Sequence, residues 1–201
     1  MKKIIYWGDG ILSGPAGYAE LLIDYVFLNH PRADVANSIY GGERATLQAA
    51  MRETPLHAIG RALDLIILGF GYTDLSASKP PGEIAQMVQS VTNLMLQKTQ
   101  AHVCLPNLAS SFFAEDREKA ACSAVNGMLA GQASSRVTVL DLESRVEDFL
   151  EAHRQGPGEK RSLHLDSHRL TLLGRLFLAH HAFGLIPWPH LEPGLPEAAP
   201  A

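Results

Sequence analysis

The sequence contains little cysteine, no long apolar run and no excess of basic residues, and each scarcity argues against a class of protein. The two cysteines, Cys104 and Cys122, lack the spacing of a metal-binding pair, and two free thiols suit a reducing compartment. No stretch approaches the length of a membrane span. With a formal net charge of −4 and scattered lysines and arginines, the chain offers no basic stripe for nucleic acid and no polybasic patch for a membrane surface.

The N-terminal residues predict a strand rather than a targeting signal. Lys2 and Lys3 precede an apolar run that stops after four residues, whereas a secretory signal needs a longer apolar core and a small-residue cleavage site. We therefore expect a cytoplasmic protein.

The remaining composition is that of one globular α/β domain. At 201 residues, with 46% hydrophobic and 19% charged residues, the chain is long enough to bury one full core and too short for two. We place the domain at residues 1–186. Residues 187–201 are rich in proline and cannot continue a helix, so we expect them to form an extended or disordered tail.

Short apolar runs alternate with longer helical patterns along this domain. The alternation predicts strands at residues 3–8, 34–40, 63–69, 102–105 and 137–142, and helices at residues 16–28, 45–51, 80–98, 115–130 and 170–183. Parallel strands joined through helices require right-handed crossovers. The sequence therefore predicts a parallel sheet with helices on both faces.

The ends of the predicted strands locate a pocket. In a sheet of this kind, ligands bind outside the carboxyl ends of the strands. The first strand ends at Asp9-Gly10, the second leads into residues 40–43, and the third leads into residues 71–74. We expect these three turns to face one crevice.

Two short motifs at these turns resemble sequence blocks of the SGNH (GDSL-type) hydrolases. Gly8-Asp9-Gly10 resembles the Gly-Asp-Ser block, with Gly10 at the position of the nucleophilic serine. Residues 71–74, Gly-Tyr-Thr-Asp, resemble the Gly-x-Asn-Asp block, with Thr73 in place of the asparagine of the oxyanion hole.

Two further motifs complete the resemblance, which covers residues 2–185. Gly42, or Gly41, precedes Glu-Arg-Ala-Thr at the position of the glycine whose backbone N–H helps to form the oxyanion hole. Residues 166–174 align without a gap with the Asp-x-x-His block and the Leu-Thr-x-x-Gly that follows it, with Arg169 at the position of the catalytic base. All four motifs occur in the family's order, which makes the match more specific than any one of them.

The resemblance implies a fold and a class of chemistry. SGNH hydrolases have a flavodoxin-like layout, so we expect a three-layer α/β/α domain with a five-stranded parallel sheet. Family members act on esters of sugars, lipids and small acyl groups. We expect neither a cofactor nor a metal ion, because the cysteines and the pair His180-His181 lack ligand partners at a fitting spacing.

The replaced side chains are the ones that ester hydrolysis needs. Glycine at position 10 supplies no nucleophile, arginine at position 169 stays protonated and cannot act as a base, and threonine at position 73 is shorter than asparagine. The first hypothesis is therefore an inactive hydrolase-like protein that acts as a binding, adaptor or scaffold subunit, with a protein partner or a small anionic or acyl ligand. Its expected pocket residues are Asp9, Gly10, Gly42, Thr73, Asp74, Asp166 and Arg169.

The alternative hypothesis is an active esterase with a displaced catalytic pair. Ser13 lies three residues after Gly10 and could supply the nucleophile, and His168 or His164 could supply the base. The competing interpretation of Ser13 is a helix N-cap ahead of Pro15, and that of the histidines is a solvated polar loop.

The acidic residues of the motifs allow two roles each. Asp9 and Asp166 could pair with Arg169 across the pocket mouth, or Arg169 could bind an anionic ligand group. Asp9 and Asp166 could also act as acid–base groups in another reaction. For Asp74, capping of the helix that follows is favoured over support of the pocket.

Overall fold

The computed structural model describes residues 2–52, 62–154, 163–166 and 169–188, with the main chain alone for Arg154, Leu165 and Asp166. Its centre is a five-stranded parallel sheet in the order β2-β1-β3-β4-β5. The strands are β1 (Lys2–Gly8), β2 (Val35–Gly41), β3 (Leu65–Gly69), β4 (His102–Pro106) and β5 (Val137–Leu140). The predicted α/β fold with a parallel sheet is confirmed, and each predicted strand overlaps an observed one.

Helices cover both faces of this sheet. They are α1 (Gly10–Ser13), α2 (Ala19–Asn29), α3 (Leu47–Arg52), α4 (Tyr72–Ser76), α5 (Pro81–Lys98), α6 (Asp116–Ala130), α7 (Leu142–Arg154) and α8 (Leu172–Leu185). α2 packs against α8, while α5 packs against both α3 and α6. All five residues of β3 are buried between these layers, as an apolar run in a parallel sheet predicts.

The fifth strand ends earlier than the sequence indicates, because a helix begins there. The side-chain oxygen of Asn107 accepts hydrogen bonds from the backbone N–H groups of Leu142 and Glu143 at 2.8 and 2.9 Å. Asp141 accepts from the N–H of Ser144 at 3.2 Å. These acceptors satisfy the first amides of α7, which the sequence analysis did not predict.

The fourth motif lies on a small hairpin and on the start of α8. β6 (His164–Asp166) runs antiparallel to β7 (Arg169–Leu170). Leu170 therefore belongs to a strand rather than to the closing helix, and α8 begins at Leu172 with Thr171 as its cap, accepting from the N–H of Gly174 at 3.0 Å. A Cβ on Gly174 would lie 1.8 Å from the carbonyl oxygen of Leu163, so this position requires glycine.

The chain after α8 packs back onto the domain as far as Trp188. The Trp188 indole N–H donates to the carbonyl of Phe183 at 2.8 Å, and the two rings lie 5.3 Å apart. The predicted tail beyond this point, residues 189–201, lies outside the described residues. No helix within the described ranges is long and apolar enough to cross a membrane.

Candidate functional site

The carboxyl ends of the first three strands are joined by close contacts between glycines. Gly8 lies beside Gly69 in the sheet, and a Cβ on Gly8 would lie 2.2 Å from the Gly69 carbonyl oxygen. The N–H of Gly42 donates to the carbonyl of Gly8 at 3.2 Å. Gly41 has a φ of +103°, which favours glycine. The predicted turns therefore meet at one edge of the sheet, and their backbones pack directly against each other.

Asp9 is buried at the centre of this edge and bonds main-chain amides. One oxygen of its carboxyl group accepts from the N–H groups of Gly71, Tyr72 and Thr73 at 3.1, 2.9 and 3.4 Å, and the other accepts from Ile11 at 3.3 Å. Burial raises the pKa of Asp9 to about 7, while the four amide hydrogen bonds act to lower it.

Pairing of Asp9 with Arg169, one of the two alternatives for these residues, is not found between their described side chains. Asp9 is 1% exposed and its carboxyl group is engaged by amides, whereas Arg169 is exposed on β7. Asp166 and Arg169 lie opposite each other in the hairpin, but the side chain of Asp166 and all of His168 lie outside the described residues. The pairing of Asp166 with Arg169 stays a prediction.

Gly10, which the resemblance places at the position of the nucleophilic serine, is the first residue of α1. Gly10 is buried there and brings no hydroxyl group to the strand ends. The backbone N–H of Gly42, the expected oxyanion donor, is bonded to Gly8, and the N–H of Thr73 is bonded to Asp9. The Thr73 hydroxyl oxygen is buried, and no described residue forms a hydrogen bond with it. At this edge Gly10 therefore carries no side chain, and the amide of Gly42 is engaged by the carbonyl of Gly8.

Ser13 does not cap a helix, so that interpretation is wrong. It is the last residue of α1, where its N–H donates to the carbonyl of Asp9 at 2.8 Å, and α2 begins only at Ala19. The Ser13 Oγ is buried and has no hydrogen-bond partner among the residues that the structure describes, which include His164 but not His168. A nucleophilic serine needs a base within hydrogen-bond reach.

His164 lies in β6 against an aromatic cluster. Its ring centroid is 4.9 Å from that of Phe112, and Phe112 stacks on Tyr72 at 5.9 Å. The Tyr72 ring also stacks on Phe113 at 5.6 Å. The structure therefore places His164 beside aromatic rings, and it does not bring this histidine to hydrogen-bond Ser13.

Asp74 caps a helix other than the expected one. It lies inside α4, where its carboxylate accepts from the N–H of Leu47, the first residue of α3, at 3.0 Å, and pairs with the Lys79 ammonium at 2.8 Å. The helix that follows α4 has Pro80 at its N-cap position, and no side chain makes a cap hydrogen bond there. Asp74 is fully buried, and Lys79 is the opposite charge that burial of a carboxylate requires.

Three polar residues near the strand ends were missed by the sequence analysis: Tyr72, Lys79 and Asn107. The Tyr72 hydroxyl accepts from the N–H of Ala109 at 2.6 Å. Asn107 is the first residue after β4, so the rule that polar groups at carboxyl strand ends line a site could have identified it. The same rule applies to Tyr72, which lies in the turn after β3, whereas Lys79 has no comparable signal in the sequence.

Two spaces open near these residues. A narrow cavity of about 10 Å³, room for one water molecule, lies beside Asp9 between Tyr18, Tyr72 and Asn107. A wider open cleft of about 440 Å³ lies on the α3 side and is lined by the buried Trp7–Phe70 pair, Tyr40, residues 41–45, Ala49 and Ala50. The strand ends therefore border two spaces, one with room for a single water molecule and one wide enough for a small ligand.

Neither metal-ligand groups nor reactive thiols are found in the part of the chain that the structure describes. No three of its histidine, cysteine and acidic side chains are grouped to hold a metal ion. His180 and His181 pack in α8 against Tyr25 and Phe177. Cys104 is fully buried, and burial raises the pKa of its thiol to about 12.

Comparison with known proteins identifies the fold through structures alone. No protein-family model and no curated protein matches the chain. A member of the lipolytic protein G-D-S-L family from Veillonella parvula matches with a TM-score of 0.72 at 18% identity, over 92% of this chain and 98% of that one. An acetylxylan esterase from Geobacillus stearothermophilus matches with a TM-score of 0.73 at 12% identity, over 96% and 97%.

A third solved structure extends this result. An α/β hydrolase enzyme from the metagenome of Lake Arreo, Spain, matches with a TM-score of 0.76 at 15% identity, over 92% of this chain and 94% of that one. The chain therefore has the fold of the SGNH/GDSL-type hydrolases, as the four sequence motifs predict.

Proposed function

We propose that this chain is a non-catalytic binding protein built on the fold of an ester hydrolase. The proposal rests on Gly10, which follows the first strand and begins α1. Glycine has no hydroxyl group that could attack an acyl carbon. In enzymes with a catalytic triad, loss of the nucleophile alone lowers turnover on the order of a millionfold.

The other parts of the site support the same conclusion. Arg169 stands at the position of the base, and its guanidinium group cannot accept a proton at neutral pH. The amide of Gly42 is bonded to the carbonyl of Gly8 and is therefore not free to stabilise an oxyanion. Nucleophile, base and one oxyanion donor are thus unavailable together.

The displaced-nucleophile alternative has less support. Its serine, Ser13, has a buried Oγ that makes no hydrogen bond, and His164, one of its two candidate bases, packs on Phe112. Activation of a serine hydroxyl requires a hydrogen bond to its base. His168 is tested together with Ser13 by the experiment below, because either histidine would act through that serine.

The proposed role is the binding of a small acyl or anionic ligand, or of a protein partner, at the carboxyl ends of the strands. The open cleft between Tyr40 and α3 has a volume within the range of small-molecule sites. Its rim carries one acidic and one basic side chain, Glu43 and Arg44, and both are exposed. Arg44 could therefore meet an anionic group on a ligand in this cleft.

The proposal is tested by hydrolysis of p-nitrophenyl acetate by the wild-type protein and by Ser13→Ala, against a buffer blank. Both proteins are expected to give the blank rate, and a fluorophosphonate probe is expected to leave the intact mass unchanged. Ser13→Ala is a suitable comparison because the hydroxyl group that it removes makes no hydrogen bond. A rate above the blank in the wild type would overturn the proposal, and its loss in Ser13→Ala would identify the nucleophile.

A further inference from the structure

We draw no further inference here: the strongest candidate, the apolar surface patch of the exposed leucines Leu172, Leu173 and Leu176 on the first two turns of α8, carries no proposal because nothing among the described residues shows what covers it.

Discussion

At the scale of single residues, the polar side chains near the strand ends hold main-chain amides rather than one another. Asp9 bonds the turn at Gly71–Thr73, Asp74 bonds the start of α3, and Asn107 bonds the start of α7. Asp9 and Asp74 could be identified from the sequence, because each belongs to a motif of a few consecutive residues. Their hydrogen-bond partners could not, since Gly71 lies 62 positions from Asp9 and Leu47 lies 27 positions from Asp74.

The ionisation of Asp9 gives a prediction at this scale. Its pKa is raised by burial from the ordinary value of 3.8 to about 7, so between these pH values the folded state holds a proton that the unfolded state has released. The stabilisation that comes from binding this proton in the folded state is therefore fully present below about pH 4 and is lost as the pH rises towards 7. The free energy of unfolding of Asp9→Asn does not depend on this proton. We therefore expect it to lie closer to that of the wild type at about pH 8 than at about pH 5.

Urea unfolding of both proteins at the two pH values measures this difference. Asp116→Asn is the control, because the Asp116 side chain is fully exposed and its replacement is expected to have the same small effect at both pH values. A difference between wild type and Asp9→Asn that grows towards pH 8 would contradict the prediction. It would show that the amides of Ile11 and Gly71–Thr73 stabilise the carboxylate more than burial destabilises it.

At the scale of elements, long segments were predictable and short ones were not. The apolar run in β3 and the helical spacing in α5 are signals carried by many consecutive residues. α1, α4 and the β6–β7 hairpin have five residues or fewer in each element, so the periodicity within them is too short to read. The start of α4 is held by a distant residue, because the carboxyl group of Asp9 accepts from the N–H of Tyr72, whereas the same carboxyl group caps α1 locally through the N–H of Ile11.

Two glycines of α8 provide a matched prediction for how this helix contacts the hairpin. A Cβ on Gly174 would lie 1.8 Å from the Leu163 carbonyl oxygen, whereas a Cβ on Gly184 would meet nothing within 4 Å. We expect Gly174→Ala to lower the free energy of unfolding by about 1–3 kcal/mol, because the helix and the hairpin must separate. Gly184→Ala is expected to raise it by up to about 1 kcal/mol, because alanine favours the helix.

Thermal and urea unfolding of the two variants checks this pair. Both substitutions add the same methyl group to the same helix. Their effects on helix propensity therefore cancel when the two variants are compared. A Gly174→Ala protein as stable as Gly184→Ala would contradict the close approach of α8 to Leu163.

At the scale of the whole molecule, the strand order β2-β1-β3-β4-β5 places the carboxyl ends of β2, β1 and β3 side by side. The turns that follow these three strands are far apart in the sequence, and they meet at one edge of the sheet because the sheet brings the strands together.

The sequence by itself determined the alternation of strands and helices, the parallel sheet and the positions of the turns that meet at its carboxyl edge. These features follow from local periodicity, from glycine positions and from the handedness of crossovers. The resemblance to the SGNH hydrolases places Gly10 and Arg169 at the positions of the nucleophile and the base, and this assignment stays a prediction. Only the tertiary structure decided that Asp9 is buried among amides, that Ser13 ends a helix and that Asp74 caps α3. Hydrogen-bond partners and burial depend on which distant segments pack together, and no local pattern encodes that.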